Sequence, residues 1–387
     1  MNYYFSSDFK LGILGGGQLG KMLLYDTRKF DIQTLVLDPD EEAPSRFGCN
    51  TFQKGSLLDF DTVYQFGKKV NLLTLEIEHV NLEALEKLEE EGLAIYPSPK
   101  TLRLIQNKGR QKDFYIENNI PTSKHQRFVD LNDLKNTLDK NLLNFPFVWK
   151  AAQGGYDGNG VKIVRSTMDL LELPEVECLA EDLVPFKNEL AVIVARSPKG
   201  EIKTYPVVEM EFHPEANQVE YTLCPARISP EVAWKAREVA LKVSEAMNHV
   251  GLLAVEMFQT EKDEIIVNEV APRPHNSGHY SIEASYTSQF EQHLRAILDL
   301  PLGNTNSKVA GIMVNLVGEE GYSGQVVYEN IDKIMAIDGV TPHIYGKRET
   351  RPFRKMGHVT IVNEDMNEAR RIAEEVKNSL RVISVAP

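Results

Sequence analysis

Residues 255–270 read VEMFQTEKDEIIVNEV, two apolar runs (254–259 and 264–269) joined by a polar turn. The composition of each run is that of a strand, and the polar residues between them mark a hairpin. With the turn centred between Lys262 and Asp263, antiparallel pairing puts Glu256 opposite Glu269. Directly opposed like charges are destabilising, with Cβ atoms only about 4.5–5.5 Å apart. A divalent cation removes the conflict, and magnesium prefers carboxylates together with phosphate oxygens. A register slip of one residue or a solvated edge would instead separate the pair, although the apolar neighbours Val255, Ile266 and Val267 weigh against a solvated edge.

Downstream, Asn268-Glu269-Val270-Ala271-Pro272-Arg273-Pro274-His275-Asn276-Ser277-Gly278-His279 places an amide, a carboxylate, a guanidinium, two imidazoles and a hydroxyl beside the proposed metal site. Such density rarely serves packing alone. Arg273 is suited to a phosphate in transfer, since a guanidinium makes the bidentate hydrogen bonds that lysine cannot. Upstream, FPFVWK ends on Lys150 and runs into QGGYDGNG (153–160), followed by VKIVR. A lysine at a strand end before a glycine-rich loop suits a lid whose amides fold over the phosphates of ATP. The bland alternative is a flexible hairpin loop.

At the N-terminus, KLGIL (10–14) leads into GGGQLG and a helical stretch. Strands and helices then alternate to about residue 96, which predicts a parallel sheet with ligand sites at its strand ends. Gly15, Gly17 and Gly20 fit G-x-G-x-x-G, and Asp38 follows 18 residues after Gly20, the pattern of a dinucleotide site. A phosphorylated substrate satisfies the same physics, because a helix N-terminus offers free N–H groups to any phosphate. A tight turn without a ligand is the third reading. From about residue 145 the texture becomes antiparallel α+β, and Ser229-Pro230-Glu231 opens a long amphipathic helix. Near the C-terminus, Arg348, Arg351, Arg354, Lys355 and His358 form a basic knot that is either an anion site or a solvated turn.

Composition narrows the function classes. A chain of 387 residues suggests two or three domains, divided here as 1–110, 111–300 and 301–387. A net charge of −13 argues against nucleic-acid or membrane-surface binding, which depends on a basic face. Cys49, Cys178 and Cys224 are too far apart for a metal set and read as thiols of a reducing cytoplasm. The start, MNYYFSSDFK, lacks the pattern of an export signal, and no run of about 18 apolar residues occurs. Export and membrane insertion are not expected.

The sequence resembles the 5-(carboxyamino)imidazole ribonucleotide synthases of purine biosynthesis, members of the ATP-grasp superfamily. GILGGGQLGKML, VLDPD, GGYDGNG, NEVAPRPHNSGH and RPFRKMGH stand in that family's order along essentially the whole chain. The resemblance implies a dinucleotide-fold-like N-terminal domain, an ATP-grasp body with a glycine-rich lid and a small C-terminal domain, assembled as a homodimer. It implies ATP contacts from Lys108, Lys150, Gly155, Tyr156, Asp157, Gly158, Asn159, Gly160, Val161, Glu181, Asp182, Leu183, Val184, Glu189, His213, Asn268 and Glu269. Magnesium (Mg2+) falls to Glu256 and Glu269. Aminoimidazole ribonucleotide falls to Gly17, Gln18, Glu76, Tyr156, Asp157, His275, Asn276, Ser277, Arg354 and Lys355. ATP would phosphorylate bicarbonate to carboxyphosphate, whose carboxyl carbon passes to the exocyclic amine, with Arg273 and Lys150 at the phosphoryl group and Asp157 orienting the amine. A downstream mutase is the implied functional partner. The family usually carries Lys or Arg where Asn159 stands, and often Arg where Lys108 stands.

Other classes remain open on the residues alone. An NAD-dependent oxidoreductase explains only the first 40 residues. A formate-using glycinamide ribonucleotide ligase or a biotin carboxylase shares the lid and paired glutamates but not HNSGH or RPFRKMGH. A non-catalytic nucleotide sensor does not require Glu256, Glu269 and Lys150 together.

Overall fold

The computed structural model describes residues 3–154, 160–213 and 218–385. The first unit is a five-stranded parallel sheet in the order β3-β2-β1-β4-β5, built from β1 (Lys10–Leu14), β2 (Gln33–Asp38), β3 (Thr51–Lys54), β4 (Leu72–Leu75) and β5 (Ala94–Tyr96). Its inner strands β1, β2 and β4 are mostly apolar because helices cover both faces. One face packs on α2 (Phe60–Gly67), α3 (Leu82–Glu90) and α4 (Pro99–Ile105), through Leu73 and Leu75 against Phe66, Leu85 and Leu102. The other packs on α1 (Gln18–Lys29) and also on a helix far along the chain, so that Leu11, Ile13 and Met22 share a core with Phe290, Leu294 and Ile297. The N-terminal sheet is thereby fastened to the middle of the molecule by buried apolar area.

Helix α5 (Lys108–Glu117) leads into a four-stranded antiparallel sheet, order β6-β9-β7-β8, with β6 (His125–Phe128), α6 (Leu131–Asp139), β7 (Phe147–Ala151), β8 (Val161–Val164) and β9 (Cys178–Asp182). Residues 183–185 then carry the chain into a nine-stranded sheet. Its strands are β10 (Phe186–Arg196), β11 (Ile202–Thr204), β12 (Val208–Phe212), β13 (Val219–Cys224), β14 (Gly251–Thr260), β15 (Ile265–Ala271), β16 (Ala310–Val317) and, further on, β18 (Val340–Ile344) and β20 (Lys355–Asn363). The long helix α7 (Pro230–Met247) begins as expected, Ser229 Oγ accepting from Val232 N–H with Pro230 in the first turn. Val232, Ala236, Ala240 and Val243, one face by their spacing, pack on Leu190, Val192, Val255 and Val267.

The sheet does not end at residue 300. Tyr221 of β13 pairs with Val314 of β16, so the C-terminal strands extend the middle sheet. Helices α8 (Ser281–Ala284) and α9 (Gln289–Ile297) lie between these regions, and α9 carries the Phe290, Leu294 and Ile297 contacts to the N-terminal sheet. Completing the chain are β17 (Gly324–Glu329), α10 (Ile331–Met335), β19 (Glu349–Thr350), α11 (Met366–Ser379) and β21 (Arg381–Ser384). Cys178 and Cys224 are buried, Cys49 is half-buried, and all three are free thiols.

Candidate active site

Glu256 and Glu269 face each other across β14 and β15 as the sequence predicts, but two offsets produce that result. The turn is a three-residue loop, Glu261 to Asp263, closed by Thr260 N–H donating to Glu264 O (3.0 Å), with Asp263 in the left-handed region (φ 60°). It is therefore centred on Lys262, and Gln259, Phe258 and Met257 pair with Ile265, Ile266 and Val267. Continued unbroken, that register would set Asn268 against Glu256. A bulge between Glu256 and Met257 on the pairing ladder skips Asn268 and restores Glu269. Val267 and Val270 both lie in the core beneath α7, so the two residues between them, Asn268 and Glu269, share the opposite face.

Cations close on this face from two other elements. Lys108, at the start of α5, forms an ion pair with Glu269 and holds that carboxyl at about 2. Lys150, at the end of β7, donates to Asn268 Oδ1 (2.9 Å) and lies 3.1 Å from Glu181 Oε1. Burial raises the Glu181 carboxyl, but Lys150 and Lys112 outweigh it and bring the group to about 2. Glu189, on β10 next to Phe258, has no ion-pair partner among the described residues; burial first and Glu256 second push its carboxyl up to about 8. Ser277 N–H donates to His275 Nδ1 (3.3 Å), which puts the ring proton on Nε2, and that atom is 3.1 Å from Glu256 Oε1. Gln289 fixes the His275 backbone on both sides, accepting from its N–H (2.9 Å) and donating to its O (2.8 Å). The opposed glutamates thus each have their own cationic or donor neighbour, which the sequence reading did not include.

The N-terminal sheet and the C-terminal region carry the other candidate residues. Arg273 Nε lies 2.8 Å from Glu78 Oε1, just beyond β4. Glu76 occupies the glycine turn: Gly17 N–H donates to its Oε1 (2.6 Å) and Gly20 N–H to its Oε2 (2.8 Å). Asp38 accepts from Gly16 N–H (2.6 Å). The amides that a dinucleotide pyrophosphate would use are therefore bound to the protein's own carboxylates. Gln18 opens α1 at the same turn. Asn276 exchanges amide hydrogen bonds with Asn315 of β16 (3.0 and 2.9 Å), tying the motif to the C-terminal strands. Arg354 Nη1 donates to Glu349 O (2.6 Å), Lys355 opens β20, and the His213 ring packs 5.9 Å from that of Phe353. Leu183 and Val184 lie in the connector between the two sheets, Asp182 ends β9, and Gly160 O accepts from Ala151 N–H ahead of Val161. Gly155, Tyr156, Asp157, Gly158 and Asn159 lie outside the described residues.

The structure adds Lys112, Glu78 and Asn315, none of which the motifs singled out as site residues. Only Lys112 had a readable signal, since Lys108 and Lys112 are four apart and so share a helix face. Among the described residues no group of three or more His, Cys, Asp or Glu side chains could hold a metal ion alone. Glu256 and Glu269 nevertheless fit magnesium as a partial set completed by phosphate oxygens and water. Glu189, raised in part by both of them, registers the surplus negative charge that such an ion would offset.

Family profiles match in three successive blocks: the ribonucleotide synthetase preATP-grasp domain over residues 9–106, the ATP-grasp domain over 113–290, and the phosphoribosylaminoimidazole carboxylase C-terminal domain over 311–372. The N5-carboxyaminoimidazole ribonucleotide synthase of Bacillus subtilis is 36% identical, with 92% of each chain covered. The chain belongs to the N5-carboxyaminoimidazole ribonucleotide synthase family. Within it, the Thermotoga maritima synthetase structure is 42% identical with a TM-score of 0.89, covering 97% of this chain and 100% of that one. A structure from Aspergillus clavatus, described as a complex with ADP and 5-aminoimidazole ribonucleotide, is 34% identical with a TM-score of 0.86, covering 96% and 98%. The chloroplastic phosphoribosylaminoimidazole carboxylase of Vigna aconitifolia is 39% identical over 92% of this chain, which spans 64% of that longer protein. Membership of the synthase family accounts for the ATP-grasp body between a preATP-grasp domain and a distinct C-terminal domain. No helix among the described residues is long and apolar enough to cross a membrane.

Proposed function

We propose that this chain carboxylates 5-aminoimidazole ribonucleotide, using ATP and bicarbonate and releasing ADP and phosphate, as a step of purine biosynthesis. The observation that carries the reading is the single face on which Glu256, Glu269, Asn268, Lys108 and Lys150 meet, with Arg273 leading from it to the N-terminal sheet. Lys108 and Lys150 supply positive charge for the triphosphate, and Glu189 offers its carboxyl to the ribose hydroxyls. Residues 181–184, at the junction of the two sheets, are assigned to present a backbone edge to adenine, with His213, just past β12, as a further contact. Magnesium held by Glu256 and Glu269 would neutralise phosphate oxygens.

The acceptor belongs on the side of Glu76, His275, Asn276, Ser277, Arg354 and Lys355. Arg273, between the two sets of residues, is placed to steady the phosphoryl group while bicarbonate oxygen displaces ADP, and carboxyphosphate then loses phosphate as the amine nitrogen bonds to its carbon. That step is mainly positioning and electrostatic stabilisation. Asp157 is assigned to orient the amine, and residues 153–160 to exclude water from carboxyphosphate. The functional units are residues 1–110, 111–300 and 301–387, the working form a homodimer in the cytoplasm, and the product's consumer a mutase.

The test is ADP release with ATP, magnesium and bicarbonate, with and without aminoimidazole ribonucleotide. Strong stimulation by that acceptor is expected. Equal stimulation by glycinamide ribonucleotide with formate would replace this reading with the formate-using ligase.

A further inference from the structure

Lys112 is a buried ammonium, 2% exposed, in the middle of α5. Its Nζ donates to Thr122 Oγ1 (2.9 Å) and Ser123 Oγ (3.0 Å) and lies 3.1 Å from a Glu181 oxygen, Oε2. Both hydroxyls pass the contact on: Thr122 Oγ1 donates to Val267 O (2.8 Å), one residue before the bulge, and Ser123 Oγ donates to Glu181 Oε2 (2.7 Å). Lys112 therefore joins α5 to both sheets, and its three donors are used. Burial pulls it down to about 8, which leaves it a cation at neutral pH.

The two oxygens of Glu181 are used differently. Oε2 is taken by Ser123 and Lys112, whereas Oε1 lies 3.1 Å from Lys150 Nζ without a well-directed hydrogen bond; that lysine donates to Asn268 Oδ1 instead. Glu181 thus has two ammonium groups to share one negative charge. We infer that Lys112 is a positioning residue for nucleotide binding: by claiming Glu181 Oε2, it keeps that carboxylate from immobilising Lys150 and leaves the Lys150 ammonium available to the phosphates. The inference rests on the reading that ATP binds at this face. Without Lys112, the buried Glu181 charge falls to Lys150 to neutralise, and that lysine must loosen the pair before it can reach a phosphate.

The test compares ADP with adenosine by direct titration of the full chain, because only ADP carries the phosphates that Lys150 would meet. Lys112→Met is expected to weaken ADP binding about 10-fold or more and adenosine binding by less than about 2-fold. Lys112→Met combined with Glu181→Gln should bind ADP more tightly than Lys112→Met alone, since removing the carboxylate also frees Lys150, while adenosine binding reports any separate loss at the adenine-facing segment 181–184. Ser123→Ala, a smaller change that strips one hydrogen bond from Glu181 Oε2, should shift ADP affinity in the same direction as Lys112→Met and serves if that variant does not fold. Equal losses for ADP and adenosine, or a double variant no better than Lys112→Met, would overturn the positioning role while leaving the nucleotide site intact. An unaltered chain that binds neither ADP nor adenosine would remove the nucleotide reading itself.

Discussion

Glu76 accepts the Gly17 amide proton at 2.6 Å, so the N-terminus of α1 already has an anion bound to it, supplied by the loop after β4. Its other oxygen serves Gly20 N–H. Glu76→Gln would turn an NH2 group toward one of these N–H donors, and hydrogen bonds to a charged group contribute about 1.5–3 kcal/mol. A stability loss of roughly that size is expected in denaturant unfolding. A variant as stable as the parent would show that a phosphate or water readily takes the carboxylate's place.

The paired glutamates should behave alike in turnover and unlike in stability. Glu256→Gln and Glu269→Gln are each expected to reduce magnesium-dependent ATP turnover at least about 100-fold. Glu269→Gln should also lower the melting temperature, because it leaves Lys108 without its carboxylate, whereas Glu256→Gln keeps an acceptor for His275 Nε2 and should melt close to the parent. Near-parent activity in either variant at ordinary magnesium would dismiss the shared cation.

Acceptor and nucleotide should separate at the C-terminal knot. Arg354→Ala and Lys355→Ala are expected to raise the Michaelis constant for aminoimidazole ribonucleotide about 10- to 150-fold, the equivalent of one charged hydrogen bond, with ADP affinity nearly unchanged. A matched loss of ADP affinity in both variants would move the knot to the nucleotide.

Acid should loosen the contact between the N-terminal sheet and the middle of the chain. Leu252 N–H donates to His293 Nδ1 (3.3 Å), which leaves the Nε2 proton for Thr74 Oγ1 (2.9 Å). Burial first, then His249, takes His293 down to about 3, and burial takes His249 down to about 4. Both stay neutral in the fold while the unfolded chain gains protons below about 6.5, so their contribution to stability falls as pH drops through that value toward 4. Between pH 7.5 and 5.5 each contributes a loss of about 1.4 kcal/mol, roughly 3 kcal/mol for the two. Denaturant unfolding of the parent and of His293→Gln at the two pH values isolates one share: the variant should lose about 1.4 kcal/mol less than the parent between them.

The sequence made much of this legible, because periodicity and charge act locally. The parallel sheet and the Ser229 cap were predictable from spacing, whereas Glu256 faces Glu269 as expected only because the turn and the bulge offset each other. The bulge at Asn268 was not predictable, since nothing in IIVNEV announces which residue a ladder will skip. The partners of the carboxylates were also hidden. Lys108 and Glu269 are 161 residues apart and meet only when α5 packs beside β15, and the occupant of the glycine turn, Glu76, is 59 residues from Gly17. The glycine motif could be read as an anion site, but whether the anion comes from a ligand or from the chain itself depends on tertiary contacts.

The skipped residue makes this hairpin uneven in its tolerance of length changes. A regular strand gives alternate residues to each face, and β15 gives two neighbours to one face. Deleting Asn268 would therefore leave a plain ladder in which Glu256 still meets Glu269, and only the acceptor of Lys150 is lost. Deleting Ile265, Ile266 or Val267 would instead put Asn268 opposite Met257, so that an amide takes the place of Val267 in the apolar layer under α7. One codon lost at position 268 should be survivable for the fold, and one lost up to three positions earlier should not.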